Sequence, residues 1–148
     1  MKKSLFNADT VLKSGCIGIA GGVTWLAIAV SSMDLNVTHI GLLHEYRIST
    51  LGASLAGLLT HPLHRTVVPL AAGLASLVTT LLGAGFAAAI LAAFASGPEA
   101  MVAGLLMGPT FVLGCILTDP FVAGIWALSM IAAQWAMLSI RSESCDFP

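Results

Sequence analysis

The sequence predicts an all-α fold, a polytopic transmembrane helical bundle with five helices expected and four as the alternative count. Three observations predict it. The 148-residue chain is 57% hydrophobic and only 9% charged, whereas a soluble domain is about 25% charged. Its mean hydropathy is +0.96. Apolar runs long enough to span recur along it, separated by short segments rich in Pro, Gly and charge. Seven acids and six bases cannot solvate the surface of a water-soluble globule this large. Disorder is excluded as well, since it needs high charge and low hydrophobicity.

The elements follow in order. Residues 1–13 carry Lys2, Lys3 and Lys13 and read as a cytoplasmic N-terminal segment. The first span is 14–33, long enough at 1.5 Å per residue to cross a hydrocarbon core of roughly 30 Å. Ala27-Ile28-Ala29 resembles a small-residue cleavage site. The long polar lead with Asp9 argues instead for an uncleaved helix. A lipoprotein is excluded, because Cys16 precedes the apolar stretch.

The second span, 40–60, is the ambiguous one. Its uncharged part is ISTLGASLAGLLT, residues 48–60, short enough to be re-entrant instead of spanning. Pro62 ends it, because proline disfavours helix at the residue before it. The third span, 66–95, takes Pro69 into its first turn and is long enough to tilt. Ser96 and Glu99 have capping-box spacing, and Gly97-Pro98 stops the helix. The fourth span, 100–117, is expected to kink at Pro109. Thr118-Asp119-Pro120 starts the fifth, 120–140, with Thr118 or Asp119 as cap. So short a join predicts an antiparallel hairpin of the last two helices. Residues 141–148 form a polar tail, and 14–140 is the transmembrane domain.

Lys and Arg placement sets sidedness. Five spans put Lys2, Lys3, Lys13 and Arg65 inside and Arg47 and Arg141 outside. Four spans exchange Arg65 for Arg141. Both give four against two and a cytoplasmic N-terminus, so the rule does not choose between them. The expected location is the cell (inner or plasma) membrane.

Small residues recur at helical spacing: Ser14, Gly18 and Gly22; then Ala71, Ala75, Thr79, Gly83 and Ala87; then Ala100, Gly104 and Gly108. Such ridges let helix backbones approach closely in lipid. They serve packing within the chain or docking of another subunit.

Candidate chemistry is sparse. His61 and His64 stand three apart, with His39 and His44 toward the other end of the second span. His44 and His61 would be about 25 Å apart along a helix, so a shared metal or haem is not expected. His44, Glu45 and Arg47 read alternatively as a proton-responsive cluster, since histidine titrates near neutrality. Asp119 and Glu99 read as helix caps. Gln134, the one strongly polar side chain well inside a span, is expected to bond a neighbouring helix or contact a solute. Trp135 fits an interfacial belt, and Trp25 and Trp126 read as packing residues. Thr79, Thr80 and Thr110 can bond back to their own helix carbonyls.

Cys16, Cys115 and Cys145 are unclustered and make neither a disulfide framework nor a metal motif. No nucleophilic triad, phosphate loop or carboxylate pair is visible. A net charge of −1 without a basic patch gives no sign of nucleic-acid binding. The expectation is a non-enzymatic protein without cofactor. Its partners are the lipid bilayer and other membrane subunits or itself. It serves as a small helical subunit of a larger membrane complex, or alternatively as a channel or transporter for a small solute, acting as an oligomer.

Overall fold

The computed structural model describes residues 8–32, 39–65 and 69–143. Lys2, Lys3, Thr66 and the tail with Cys145 lie outside the described residues, as do the side chains of His39, Arg65 and Arg141. Among the described residues there are five α-helices and no strand: α1 Ala8–Ser32, α2 His39–Thr60, α3 Pro69–Ser96, α4 Met101–Thr118 and α5 Pro120–Glu143. Short 3₁₀ turns, Leu63–Arg65 and Pro98–Ala100, sit at two of the joins. Four helices contain stretches long and apolar enough to cross a membrane: Thr10–Ser31, Leu70–Ser96, Pro98–Thr118 and Pro120–Ser139. The fifth, α2, begins with a polar stretch containing His44, Glu45 and Arg47 and does not reach that apolarity.

Side-chain exposure fits a lipid surround. Leu70 is 76% exposed, Phe94 80%, Leu117 76% and Trp135 76%. These are the ends of large apolar outer faces that water would penalise at about 25 cal/mol per Å². Fold and surface together define the class of protein: a multi-pass helical membrane protein.

The ridges decide which helices pair. Gly18 and Gly22 of α1 face Thr50, Ser54 and Tyr46 of α2, and the Ser14 hydroxyl donates to the Ser54 carbonyl at 2.8 Å. Gly52 of α2 lies against Gly83 and Ala87 of α3, and Gly83 in turn against Ala53. Gly104 and Gly108 of α4 lie on the backbone of Ala84, Ala88 and Ala89 in α3. On the other side of α1, Ala20 packs with Met130 and Ala133 of α5, flanked by Cys16 and Trp126. The packing order is therefore α4–α3–α2–α1–α5. All three small-residue ridges contribute to close contacts within the chain.

Three local expectations are corrected. First, α1 begins at Ala8, ahead of the expected start at 14, because an apolar boundary marks where lipid begins and not where a helix can. Second, no side chain caps the turn after α3. Instead Gly97 adopts φ 98, a backbone state that costs glycine little. Its N–H bonds Ala93 O at 3.1 Å, and the Ala100 N–H bonds Gly97 O at 3.1 Å. The Ser96–Glu99 capping box does not form, since glycine's backbone closes the helix without it. Third, α4 and α5 do not close into a tight hairpin. Each packs far more on its other neighbour, α4 on α3 and α5 on α1, than on the other. The glycine face of α4 fits α3 more closely than anything on α5 fits α4.

Asp119 is the single residue between α4 and α5, with extended backbone (φ −116, ψ 108). Its Oδ1 accepts the N–H of Phe121 at 2.8 Å and of Val122 at 3.4 Å. The Ser31 hydroxyl of α1 donates to the other carboxylate oxygen. The Ser31 hydroxyl and then the Phe121 amide hold the Asp119 carboxyl below its ordinary value. Asp119→Ala is expected to lower stability through loss of this cap. Asp119→Asn should keep most of it. Thermal unfolding in detergent checks the order, and an Asn variant no better than Ala would refute a capping role.

Candidate functional site: a cavity with a polar foot

A half-open cavity of about 190 Å³ lies between the helices, with all five contributing to its wall. Ile17, Trp25, Ile28, Leu91, Phe111 and Met130 give it an apolar lining, and Thr24, Ser49, Thr79 and Thr80 supply hydroxyls. Among the described residues no charged side chain lines it. Small residues make the room: Gly21, Ala53, Gly83, Ala84, Ala87, Ala88 and Gly108 all border it. The spacing that draws the helix backbones together also leaves the lining without bulk at its centre.

Thr79 links the cavity to a buried polar network. Its Oγ1 is 2.7 Å from Thr60 Oγ1, 2.7 Å from Ala75 O and 2.9 Å from His64 Nε2. Thr60 Oγ1 also reaches Ala56 O at 2.8 Å. Thr79 is 1% exposed and Thr60 3%, so bulk water cannot substitute for these partners. Two hydroxyl protons serve the Thr60–Thr79 bond and two helix carbonyls, so one helix-carbonyl bond gives way to the interhelical one.

Gln134 of α5 completes the network. Its Nε2 is 3.2 Å from Ala72 O, 3.3 Å from Ser76 Oγ and 3.2 Å from His64 Nδ1. A carbonyl accepts only, so the amide must present its NH₂ to Ala72. The same NH₂ then faces His64, and Nδ1 must offer a lone pair. The proton of the neutral ring is therefore on Nε2, donating to Thr79. Burial, and after it the neighbouring His61, push the His64 imidazole below the usual histidine value, which favours this neutral form. Nearby, Trp126 Nε1 donates to Thr80 Oγ1 at 2.9 Å. Thus α5 touches α3 through two polar side chains, although its main packing partner is α1.

The other sequence candidates are dispersed. His61 Nδ1 is 3.2 Å from Leu58 O and stays near the α2 terminus. His44 and Arg47 are exposed and Glu45 half-buried on the early turns of α2, well separated along that helix from His61 and His64. Among the described residues no three of His, Cys, Asp and Glu gather as metal ligands. Cys16 and Cys115 are free thiols. The hydroxyls of Thr79, Thr80 and Thr110 do reach Ala75 O, Ser76 O and Met107 O. Sequence reasoning missed the second bonds of Thr79 and Thr80, and it missed Thr60 and Ser76 altogether. It also missed the polar use of Trp126. A threonine bonded to its own helix carries no local mark of the lone pair it offers elsewhere.

No protein-family model, curated protein or solved structure matches this chain.

Proposed function

We propose that this multi-pass membrane protein is a non-enzymatic channel or transporter for a small uncharged solute, which it holds in the interhelical cavity. The cavity itself carries the reading. It is larger than the dry apolar cavity of about 150 Å³ that accommodates benzene. A mainly apolar pocket with a few placed polar groups is the usual form of a small-molecule site. The absence of charge from its wall points to an uncharged solute. The hydroxyls of Thr24 and Thr80 reach the Ala20 and Ser76 carbonyls at 2.9 and 2.8 Å. With their protons directed there, and with Thr80 Oγ1 already accepting from Trp126 Nε1 and Thr24 Oγ1 3.4 Å from Ser129 Oγ, each oxygen keeps one lone pair to offer. The complementary solute is a hydrogen-bond donor such as an alcohol or phenol.

Phenol serves as the probe. A ligand that binds only the folded state at 100 times its Kd adds about 2.7 kcal/mol of stability. Phenol is expected to raise the melting temperature of the detergent-purified protein, toluene to raise it less, and Val112→Phe to remove the phenol effect by filling the cavity. A wild-type melting temperature indifferent to phenol overturns the reading.

The second role, a small subunit of a larger membrane complex, loses one support because the ridges pack within the chain. It keeps another: α4 is the least enclosed of the four apolar spans, with 17% of its apolar stretch buried, which leaves a broad face for a second copy or another subunit. Mild-detergent affinity purification tests it by what accompanies the chain.

The proposed location is the cell membrane, with the N-terminus cytoplasmic. Five crossings then place Cys145 outside. In a Cys16→Ser, Cys115→Ser background, a membrane-impermeant maleimide should label intact cells at Cys145. Labelling only after lysis contradicts five crossings.

A further inference from the structure

We propose that His64 is a proton-operated latch on the cavity: its neutral ring ties α5 to α3 through Gln134, and protonation at Nδ1 releases Gln134 and loosens α5. The geometry leaves one place for the proton. Nε2 already carries hydrogen and donates to Thr79, so a proton taken from water goes to the Nδ1 lone pair. One N–H bond forms, and the hydrogen bond from Gln134 is lost. The ring's new N–H then faces the amide NH₂, donor against donor. Gln134 cannot answer by turning its carboxamide, because Oε1 would then face the Ala72 carbonyl, acceptor against acceptor. The charged ring therefore pushes the amide from its seat against Ala72 O and Ser76 Oγ and weakens this α5–α3 tie, leaving Trp126 on Thr80 as the other.

The surroundings suit a switch at this position. His64 is half-buried, so water reaches the ring while the network behind it stays dry. Among the described residues the titratable group facing it is His61, whose charge would oppose a second charge on His64. The next residue is Arg65, whose side chain lies outside the described residues. No charged residue occurs in α3, in α2 after Arg47, or in α5 before Arg141, so those elements bring no carboxylate to hold a charged ring. Thr79 belongs both to the latch and to the cavity wall, which makes the wall itself responsive to the proton.

The sign follows from the lowered value for His64. The unfolded or released ring takes up its proton first as pH falls. The latch is therefore complete above the ordinary histidine value of about 6.5 and is lost as pH drops below it. The effect on solute binding rests on the cavity reading above, whereas the latch itself does not.

The test uses the full chain in lipid nanodiscs, without solute. Spin labels are placed at Leu70→Cys and Leu138→Cys, on the outer faces of α3 and α5, with the native cysteines changed to Ser. At about pH 7.5 the label separation should be short and narrow. At about pH 5 it should lengthen and broaden, with the midpoint below the ordinary histidine value. His61→Gln should keep this response and His64→Gln should abolish it. A wild-type separation indifferent to pH, or a response that survives His64→Gln, overturns the proposal.

A measurement on unmutated protein covers the case in which His64→Gln fails to fold. The ¹⁵N resonances of the His64 ring at about pH 7.5 should show Nε2–H with Nδ1 bare. A ring protonated at Nδ1 under those conditions overturns the latch. Phenol binding plays no part in either readout, so failure of the solute site and failure of the latch are separately visible.

Discussion

Gly104→Leu is expected to abolish the folded, monodisperse protein. A side chain at this position starts inside α3: its first carbon would lie 2.5 Å from Ala88 O, 2.7 Å from Ala88 C and 2.8 Å from Ala89 Cα. These are backbone atoms and cannot rotate away, so α4 must separate from α3. Overpacking against movable side chains already costs about 1–3 kcal/mol. That is a large share of a total stability of about 5–15 kcal/mol. Gly104→Ala alone should therefore lose about 1–3 kcal/mol, and the larger leucine more. Gly114, on the same helix, has no atom within 4 Å of such a carbon. Gly114→Ala should gain about 0.5–1 kcal/mol from reduced backbone freedom. Thermal unfolding and size-exclusion profiles in one detergent read both. Equal stability of Gly104→Leu and Gly114→Ala would show that α3 and α4 do not pack as described.

Thr79→Val should produce the second largest loss. Valine keeps the shape but removes the oxygen on which His64, Thr60 and the cavity wall converge. The His64 Nε2–H is then left without its acceptor, a cost of about 1–3 kcal/mol for a buried polar group. Interhelical hydrogen bonds in membrane proteins average only about 0.6 kcal/mol when both partners are counted. A loss above that average would therefore measure the stranded histidine and not the bond. Thr79→Ser keeps the oxygen and should lose less than Thr79→Val. If Val and Ser behave alike, the network does not hold the bundle. The pair also separates packing from hydrogen bonding, since serine lacks the methyl group and valine the hydroxyl.

Much of the fold was legible in the chain. Helix ends at Thr60, Ser96 and Thr118 fall next to His61-Pro62, Gly97-Pro98 and Asp119-Pro120. Proline and glycine act on the backbone where they stand, so a local reading suffices. The Gly18/Gly22, Gly83 and Gly104/Gly108 ridges were legible for the same reason: helical spacing alone puts those residues on one face. The failures were also local rules, overridden by something nearby. The Ser96–Glu99 capping box yielded to the backbone of Gly97. The expected α4–α5 hairpin yielded to the better fit of Gly104 and Gly108 on α3.

The candidate site was legible only as parts. Gln134 stood out because a carboxamide inside a span needs a partner, and His64 because histidine beside a span invites chemistry. Nothing in the spacing joined them, since they are 70 residues apart. Ser76 gave no signal, and neither did Thr60 and Thr80, whose hydroxyl protons already have helix carbonyls within reach.

Composition and periodicity by themselves pointed to a lipid surround and to a bundle of four or five helices, and marked the stops at Thr60, Ser96 and Thr118. These depend on solvation and on torsions a few residues apart. Only the tertiary structure decided which ridge meets which helix, that a cavity opens among them, and that one threonine joins its wall to a histidine. Those outcomes depend on distances between segments far apart in sequence, which no local pattern encodes.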